Sequence, residues 1–196
     1  MELEERIIAH FHETMETCAQ TIEHYTPVIA EASELILPCL VSEGKILCAG
    51  NGASAAIAAQ FSAQLLNRFR HDRPGLPCSV LNASSAVMTG ISHDSGYAEV
   101  YARQIQALGQ AGDILVVIST GGRDASLVQA VQAAHDRDMQ VIALTGRDGG
   151  NMTALLRPEE IEFCIASDDD PCIHMAHTLI LHSLVDLIEF QLFGAE

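Results

Sequence analysis

The sequence predicts an α/β protein, a three-layer α/β/α sandwich in which a five-stranded parallel sheet lies between helices. Short apolar runs alternate with helical patterns along the chain, an order that is typical of such sheets. The run 113–118 is largely β-branched and uninterrupted, as expected of a strand that is covered on both faces. No linker or low-complexity tract divides the 196 residues. We therefore expect one domain over 1–196, with N-terminal helices (1–43) followed by an α/β core and closing helix (44–196).

Two helices are predicted before the core. Apolar residues recur at helical spacing over 3–25 and again over 28–42, which indicates one buried stripe on each helix. Pro27 interrupts the pattern between them, and Pro38 predicts a kink or an early end of the second helix. Proline has these effects because it lacks an N–H group and its ring clashes with the preceding turn.

The core elements follow after Gly44, where the apolar period changes. Five short apolar runs are predicted as strands, at 45–49, 78–81, 113–118, 140–144 and 161–165. Helical patterns fill the intervals, namely an alanine-rich segment that ends near 69 and segments at 83–91, 97–108, 125–136 and 172–193. The segments 46–55 and 115–125 echo each other, since each is a strand, a glycine-containing turn and the start of a helix.

Charge and composition exclude several classes of function. Ten basic residues against 26 acidic residues give a formal net charge of −16, whereas nucleic-acid binding needs a basic face. An anionic membrane surface is excluded for the same reason. A basic protein partner is compatible with this charge, and an anionic ligand would need a locally favourable pocket.

The cysteines and the N-terminus predict a cytoplasmic protein. None of the six cysteines forms a CxxC pair, and several lie in apolar runs, so we expect reduced thiols. The acidic start Met-Glu-Leu-Glu-Glu-Arg opens a helical pattern and is not typical of a signal peptide. Glycine and polar residues break the longest uncharged stretches, so no membrane span is predicted.

Two glycine turns are the candidate ligand site. The turns 50–54 (Gly-Asn-Gly-Ala-Ser) and 119–122 (Ser-Thr-Gly-Gly) each follow a predicted strand and precede a helix, where ligands of parallel sheets bind. Free helix N–H groups with serine or threonine hydroxyls can hold a phosphate. A plain tight turn is the alternative for either one, and the presence of two equivalent turns favours binding. We therefore single out Asn51, Gly52, Ser54, Ser119 and Thr120 as substrate-binding residues.

Two other nucleotide motifs are not matched. The turn at 50–55 lacks the third glycine of GxGxxG, and Leu81-Asn82 offers no acid for a ribose. No GxxxxGK[ST] segment occurs, which excludes a P-loop for nucleoside triphosphates.

At these residues the chain resembles the sugar isomerase (SIS) domain, and within it the phosphoheptose isomerases and their non-isomerase relatives that associate with the replication initiator DnaA. The resemblance runs nearly end to end. Its segments are 44–55, 65–69, His93-Asp94, 99–104, 112–120, 143–150, 186–188 and 191–193. It implies an α/β/α fold, a homotetramer with the N-terminal helices in oligomer contact, and a sugar-phosphate pocket shared between subunits.

The helices that carry the chemistry depart from the isomerase pattern. In phosphoheptose isomerases the first core helix carries His-x-x-x-Glu, which binds zinc and transfers protons; here Gln60 and Gln64 occupy these positions. An amide is not a general base and is a poor zinc ligand. The family's closing helix supplies a glutamine and, eight residues on, a histidine; here they are His174 and His182. By this resemblance His182 is the candidate catalytic residue.

The predicted phosphate turn departs as well. The isomerases read Ser-Thr-Ser-Gly-Asn-Ser, whereas this chain reads Ser119-Thr-Gly-Gly-Arg-Asp124. Asp124 then lies where a phosphate-binding serine would be, which is unfavourable unless Arg123 compensates. Asp124 is included among the substrate-binding candidates, with an ordinary N-cap as the favoured alternative. Asp168-Asp-Asp170 adds negative charge nearby, or is a solvated loop with a cap.

Metal binding is weakly indicated. His174 and His182 are the candidates, but they lie two turns apart, about 12 Å along a continuous helix. They could share an ion only if the helix began after His174. With Gln60 and Gln64 as the other partners, we expect no cofactor, and we expect His177 to be structural.

Four further positions have alternative interpretations. Asp94 and Arg68 match residues that line the isomerase site; Asp94 is a substrate-binding candidate, and Arg68 could brace a helix end or a subunit contact. No G-x-S-x-G elbow is present, which excludes a hydrolase of that type. Leu192 and Phe193 could close the core or form an exposed partner surface.

Because the proton-transfer residues of the first core helix are replaced, the favoured hypothesis is a non-catalytic homotetramer that associates with a DnaA-type initiator protein and regulates replication initiation. The alternatives are an isomerase of sedoheptulose 7-phosphate and a sugar-phosphate sensor without turnover. On balance, we expect a protein without enzymatic activity.

Overall fold

The structure, a computed structural model that describes residues 2–194, contains the predicted parallel sheet of five strands. The strands are β1 (Ile46–Gly50), β2 (Cys78–Val80), β3 (Ile114–Ile118), β4 (Gln140–Gly146) and β5 (Ile161–Ile165). Their order is β2-β1-β3-β4-β5, with every pair parallel. The predicted fold class is confirmed. The order reverses between β1 and β3, and the crevice at their carboxyl ends is where ligands bind in such sheets.

Seven α-helices and one 3-10 helix (Tyr97–Glu99) complete the described chain. The α-helices are α1 (Leu3–Val41), α2 (Ala53–Leu66), α3 (Ser85–Ser95), α4 (Ala102–Leu108), α5 (Ala125–Asp136), α6 (Gly150–Thr153) and α7 (Asp170–Phe193). The single helix predicted at 97–108 is thus divided into the 3-10 helix and α4. The sequence patterns found all of these except α6, and they misplaced some ends: α2 ends before Phe69, and α7 begins two residues earlier than predicted.

The N-terminal segment is one helix, so the prediction of two helices was wrong. α1 runs unbroken through Pro27 and Pro38. Both prolines lie on the exposed face, while Ile29, Ala32 and Ile36 are buried against the body of the protein. The free energy gained by this packing exceeds the cost of the two hydrogen bonds that the prolines cannot donate. A prediction from the local sequence includes that cost but not the packing, and so breaks the helix.

Two hydrophobic cores lie on the two faces of the sheet. Along β3, Ile114, Val116 and Ile118 point into the core shared with α1, α2 and α7, while Leu115 and Val117 point into the core shared with α4 and α5. Alternate side chains of a strand face opposite ways, so a continuous apolar run is needed to fill both cores.

The closing helix α7 is 24 residues long and apolar enough, by length and composition, to cross a membrane. Half of its most apolar window is buried inside the protein, and Ile180, Leu181 and Leu184 are almost fully covered. This burial is that of a core helix. All six cysteines are free thiols.

Candidate active site

A cavity of about 210 Å³ lies where β1 and β3 end. It brings together most of the predicted substrate-binding residues with two residues of α7. Its lining consists of Asn51, Ala53, Ser54, Ile118, Ser119, Thr120, Asp124, Asp170 and His174. The two glycine turns therefore face one another across a single cavity, as the sequence echo predicts.

The first turn needs glycine for steric reasons. A Cβ atom at Gly50 would stand 2.7 Å from the backbone of Ser54. Gly52 has a φ of +56°, a conformation that favours glycine. A Cβ atom at Gly52 would have no neighbouring atom within 4 Å, so the backbone angle is the reason for glycine there. No side chain caps α2, so its first N–H groups are available to an anion from the cavity.

The second turn is organised by Ser119. Its hydroxyl accepts hydrogen bonds from the N–H groups of Gly121 (3.3 Å) and Gly122 (2.9 Å), and it donates to a carboxylate oxygen of Asp124 at 2.6 Å. Gly122 has a φ of +62°, and a Cβ there would collide with the carbonyl of Gly149. Glycine is therefore required at this position.

The favoured N-cap interpretation of Asp124 is confirmed for its position in the chain and is wrong for its side chain. Asp124 occupies the N-cap position of α5, but its side chain makes no capping hydrogen bond. Its carboxylate instead accepts a hydrogen bond from the hydroxyl of Ser119. It also accepts a longer one, of 3.4 Å, from the side-chain amide of Asn51. Asp124 thus does not compete with a ligand for the first N–H groups of α5, and it adds a negative charge beside them.

Two tyrosines, which the sequence patterns did not single out, hold Asn51. The hydroxyls of Tyr97 and Tyr101 donate to the amide oxygen of Asn51 at 2.8 and 3.1 Å, and its amide nitrogen donates to Ser126 at 3.1 Å. Tyr101 also donates to the carbonyl of Gly50, and burial raises the pKa of Tyr101. These bonds fix the first turn in one orientation. No local signal could have found these bonds, because their partners lie 46 to 75 residues apart.

Arg147 joins three loops around the cavity and was also missed. Its guanidinium donates to the carbonyls of Thr120 (2.8 Å) and Asp168 (3.1 Å) and to a carboxylate oxygen of Asp170 (2.7 Å). The hydrogen bond from Arg147 lowers the pKa of Asp170. Arg123, by contrast, pairs with Asp148 on the surface. Asp169 caps α7 by accepting from the N–H of Cys172, in line with the solvated-loop alternative.

The imidazole of His174 lies at the rim of the cavity. Its Nε2 is 3.3 Å from the hydroxyl of Ser54, whose residue is almost fully buried. Burial lowers the pKa of His174, and the negative charge of Asp170 partly opposes this effect. At neutral pH the ring is therefore mainly uncharged.

His182 lies further along α7 and outside this cavity. Its Nε2 is 3.0 Å from the amide nitrogen of Gln60, which donates to it, and the ring of Phe69 lies 5.4 Å away between centroids. It lines a second cavity of about 460 Å³ with residues of α1 and Asp186. Because α7 begins at Asp170, two full helical turns separate His182 from His174.

The residues present do not fit a zinc ion of the kind that the resemblance implies. Gln60 and Gln64 contribute amides where an imidazole and a carboxylate would be needed, and the amide oxygen of Gln64 is buried without a partner. Within residues 2–194, no group of three His, Cys, Asp or Glu side chains comes close enough to hold a metal ion. We derive no step through a metal.

The remaining candidates lie away from the cavity. Asp94 is exposed on α3 and pairs with His93, so a role in this cavity within one chain is not supported. Arg68 is exposed after α2. His177 is buried and contacts the carbonyl of Thr145 at 2.8 Å.

The predicted partner surface at Leu192 and Phe193 divides between two environments. Leu192 packs against the core on the α7 side of the sheet, whereas Phe193 is 47% exposed. The pair therefore does not form one exposed patch.

Three comparisons with known proteins agree on one family. The SIS domain family matches residues 9–146. A phosphoheptose isomerase of Chromohalobacter salexigens is 47% identical over all of this chain and 99% of its own length, and one of Methylococcus capsulatus is 45% identical over 97% of both. The solved phosphoheptose isomerase of Neisseria gonorrhoeae has a TM-score of 0.91 at 39% identity, with 96% of this chain and 99% of that chain covered.

These relatives correct the favoured functional hypothesis. Curated proteins that match at 40–47% identity over nearly the full chain are named phosphoheptose isomerases, and so are solved structures with TM-scores of 0.91 and 0.93. The hypothesis of a non-catalytic protein that associates with an initiator and regulates replication was therefore wrong, and the isomerase alternative is favoured.

Proposed function

The chain belongs to the SIS domain family, and on that premise we propose that it is an aldose–ketose isomerase that converts sedoheptulose 7-phosphate into a heptose 7-phosphate. The observation that carries the proposal is the 47% identity, over the whole chain, to proteins named for this activity. The cavity between the two glycine turns supports it, because it offers uncapped helix starts to a phosphate group, with the hydroxyl of Ser54 beside the start of α2.

The proposed reaction moves hydrogen within the sugar and needs no co-reactant. A base removes a proton from C1 of the ketose, and the carbonyl oxygen at C2 is protonated to give an enediol. A proton then leaves the C1 hydroxyl and one is added at C2, so that the carbonyl ends at C1. The phosphate ester is not broken, and its role is to hold the sugar in place.

We propose that the phosphate binds at the turns and that the reacting carbons lie towards His182. The distance of about 12 Å from His174 to His182 along α7 suits an extended seven-carbon sugar phosphate. Gln60 donates to Nε2 of His182 and so holds the ring in one orientation in the free protein; this hydrogen bond has to break before the lone pair of Nε2 can accept the proton from C1. We assign His182 as the proton-transfer residue, with Asn51, Gly52, Ser54, Ser119 and Thr120 as the substrate-binding residues.

Binding of the sugar phosphate without turnover is the second candidate. It is favoured because α2 has no carboxylate that could act as a general base; Gln60 and Gln64 occupy the positions at which the isomerases carry histidine and glutamate. This candidate shares the phosphate site with the first and differs only in whether protons are transferred.

The test is an assay of the purified protein with sedoheptulose 7-phosphate, in which aldose formation is followed by NMR. We expect turnover, and we expect His182→Gln to reduce it by about 10²–10⁴-fold while the ligand still binds. His71→Gln, which removes an exposed imidazole in the loop after α2, is the matched control and should leave the rate unchanged. Binding without aldose formation would support the second candidate, and neither binding nor turnover would contradict both.

We further propose that the chain forms a homotetramer through α1. The first turns of α1 present Leu3, Ile7, Ile8, Phe11 and Met15, each more than half exposed. Such a stripe is costly in a monomer and is typical of an interface. The cytoplasmic location, expected from the reduced cysteines, remains a prediction.

A further inference from the structure

We propose that His174 takes up a proton when a phosphate group enters the cavity at the ends of β1 and β3, and that the resulting imidazolium is the positive charge which the site offers its ligand. This inference rests on the proposed function, because it takes a phosphorylated sugar as the ligand. It adds a residue that senses pH to a site otherwise built from neutral donors.

The first argument is the charge around the cavity. Two carboxylates, Asp124 and Asp170, belong to its lining, and neither lysine nor arginine does. A phosphate ester carries a charge between −1.5 and −2 at neutral pH. Its approach to two carboxylates is unfavourable, and the net charge of −16 adds to the repulsion. A positive charge in the lining would offset this repulsion.

The second argument is that the nearby arginines are already engaged. Arg147 uses its guanidinium on two backbone carbonyls and on Asp170. Arg123 is paired with Asp148, and both side chains are more than half exposed. Turning either arginine into the cavity would break these bonds, whereas His174 already lines it.

The third argument is the position of the imidazole. Nε2 of His174 lies 3.3 Å from the hydroxyl of Ser54, at the uncapped start of α2. This atom therefore faces the same space as the N–H groups that would bind the phosphate. A protonated ring could donate to a phosphate oxygen there, and Ser54 could turn its hydroxyl to do the same.

The charged groups around His174 set its response to pH. Asp170 and His177 lie on α7 itself, Asp124 at the start of α5, Arg147 behind Asp170, and α2 carries no charged side chain. On α1, Glu13 acts on the neighbouring Cys172. Burial keeps the pKa of His174 below its usual value in the free protein, and an adjacent phosphate dianion would raise it.

The phosphoheptose isomerases that the sequence resembles carry a glutamine at this position. An amide cannot take up a proton, so proton-linked binding would distinguish this chain from them. His174→Gln is therefore the natural test variant, since it retains a polar side chain of similar reach.

The experiment is isothermal titration calorimetry with sedoheptulose 7-phosphate in PIPES and in Tris at pH 7.5. His182→Gln protein is used so that the sugar is not consumed, and it is compared with the His174→Gln/His182→Gln double variant. We expect about one proton to be taken up per bound ligand by the single variant and almost none by the double variant. Between pH 7 and 8.5 the affinity of the single variant should fall about tenfold per pH unit, and that of the double variant should hardly change.

Equal heats in the two buffers for the single variant, or uptake that persists in the double variant, would overturn the inference and leave the proposed function intact. Absence of binding by every protein at every pH would overturn the proposed function and the inference together. If the double variant does not fold, NMR titration of the histidine rings in the single variant decides the question. The ring in contact with Ser54 must show a higher pKa with the sugar phosphate bound, and an unchanged value overturns the inference.

Discussion

At the scale of single residues, the sequence identified the two turns but not the contacts that shape them. Asn51, Ser54 and Ser119 meet in one cavity as predicted. The side chain of Asp124 was mistaken for a cap because its carboxylate accepts from the hydroxyl of Ser119 in the preceding turn, whereas a capping rule considers only the N–H groups that follow in the helix. Arg147 gave no signal because its partners lie in two other loops.

Buried His177 yields a prediction of how stability depends on pH. One ring nitrogen donates to the carbonyl of Thr145, and burial lowers the pKa of His177 to about 4. Below pH 6.5 the unfolded chain binds a proton at this ring that the folded chain excludes. The free energy of unfolding should therefore fall as the pH drops from about 6.5 to 4, by up to about 3 kcal/mol.

Urea unfolding at pH 7.5 and pH 5 measures this loss. We expect His177→Gln to depend less on pH than the wild-type protein over that interval. His93→Gln, in which the replaced ring is exposed, should behave like the wild type. An equal loss of stability in wild type and His177→Gln would contradict the assignment.

At the scale of the elements, long patterns were predicted well and their interruptions were not. The five strands appear within two residues of their predicted ends, because continuous apolar runs must fill both cores of the sheet. The local pattern predicts breaks at Pro27 and Pro38, because it does not show that α1 packs along α7. The end of α2 was misjudged because the segment after Leu66 is held by a distant residue, Glu189.

That segment supplies a prediction about a buried ion pair. Arg73 and Glu189 pair at 2.8 Å, and both side chains are almost fully buried. Arg73 also donates to the carbonyls of Gln64 and Leu65. Arg73→Met leaves a buried carboxylate without its partner, and we expect it to lower the free energy of unfolding by about 3–5 kcal/mol.

The chain offers a matched control three residues away. Arg70 pairs with Asp186 at 3.0 Å, but both side chains are at least half exposed. Arg70→Met should therefore cost no more than about 1 kcal/mol. Urea denaturation measures the free energy of unfolding of the two variants. Similar decreases for both would contradict the expectation that the buried ion pair of Arg73 stabilises the protein more than the exposed pair of Arg70.

At the scale of the whole molecule, assembly is the property that a single chain reveals least directly. The apolar positions of α1 were predicted as a buried stripe, yet residues such as Phe11 and Met15 are exposed in the folded chain. The helical spacing of these apolar residues is confirmed. In the proposed homotetramer they are covered by another subunit and not by the same chain. A pattern of this kind cannot distinguish a core from a subunit interface.

Substitutions in the stripe test this assembly. We expect the wild-type protein to elute as a tetramer in size-exclusion chromatography with light scattering. Ile7→Lys/Phe11→Lys should dissociate it, because charged side chains would have to be buried at the interface. Glu31→Lys, an exposed charge change in the second half of α1, is the control. A tetramer that survives the double substitution, or a monomeric wild type, would contradict an interface along α1.

The central claim is that this protein transfers protons on a sugar phosphate although α2 carries Gln60 and Gln64. Incubation of the wild-type protein with sedoheptulose 7-phosphate in D₂O, followed by NMR, measures that step directly. We expect deuterium at the carbon atoms next to the carbonyl and formation of the aldose at a catalytic rate, both lost in His182→Gln. A sugar that binds but retains all its carbon-bound hydrogen would contradict the claim.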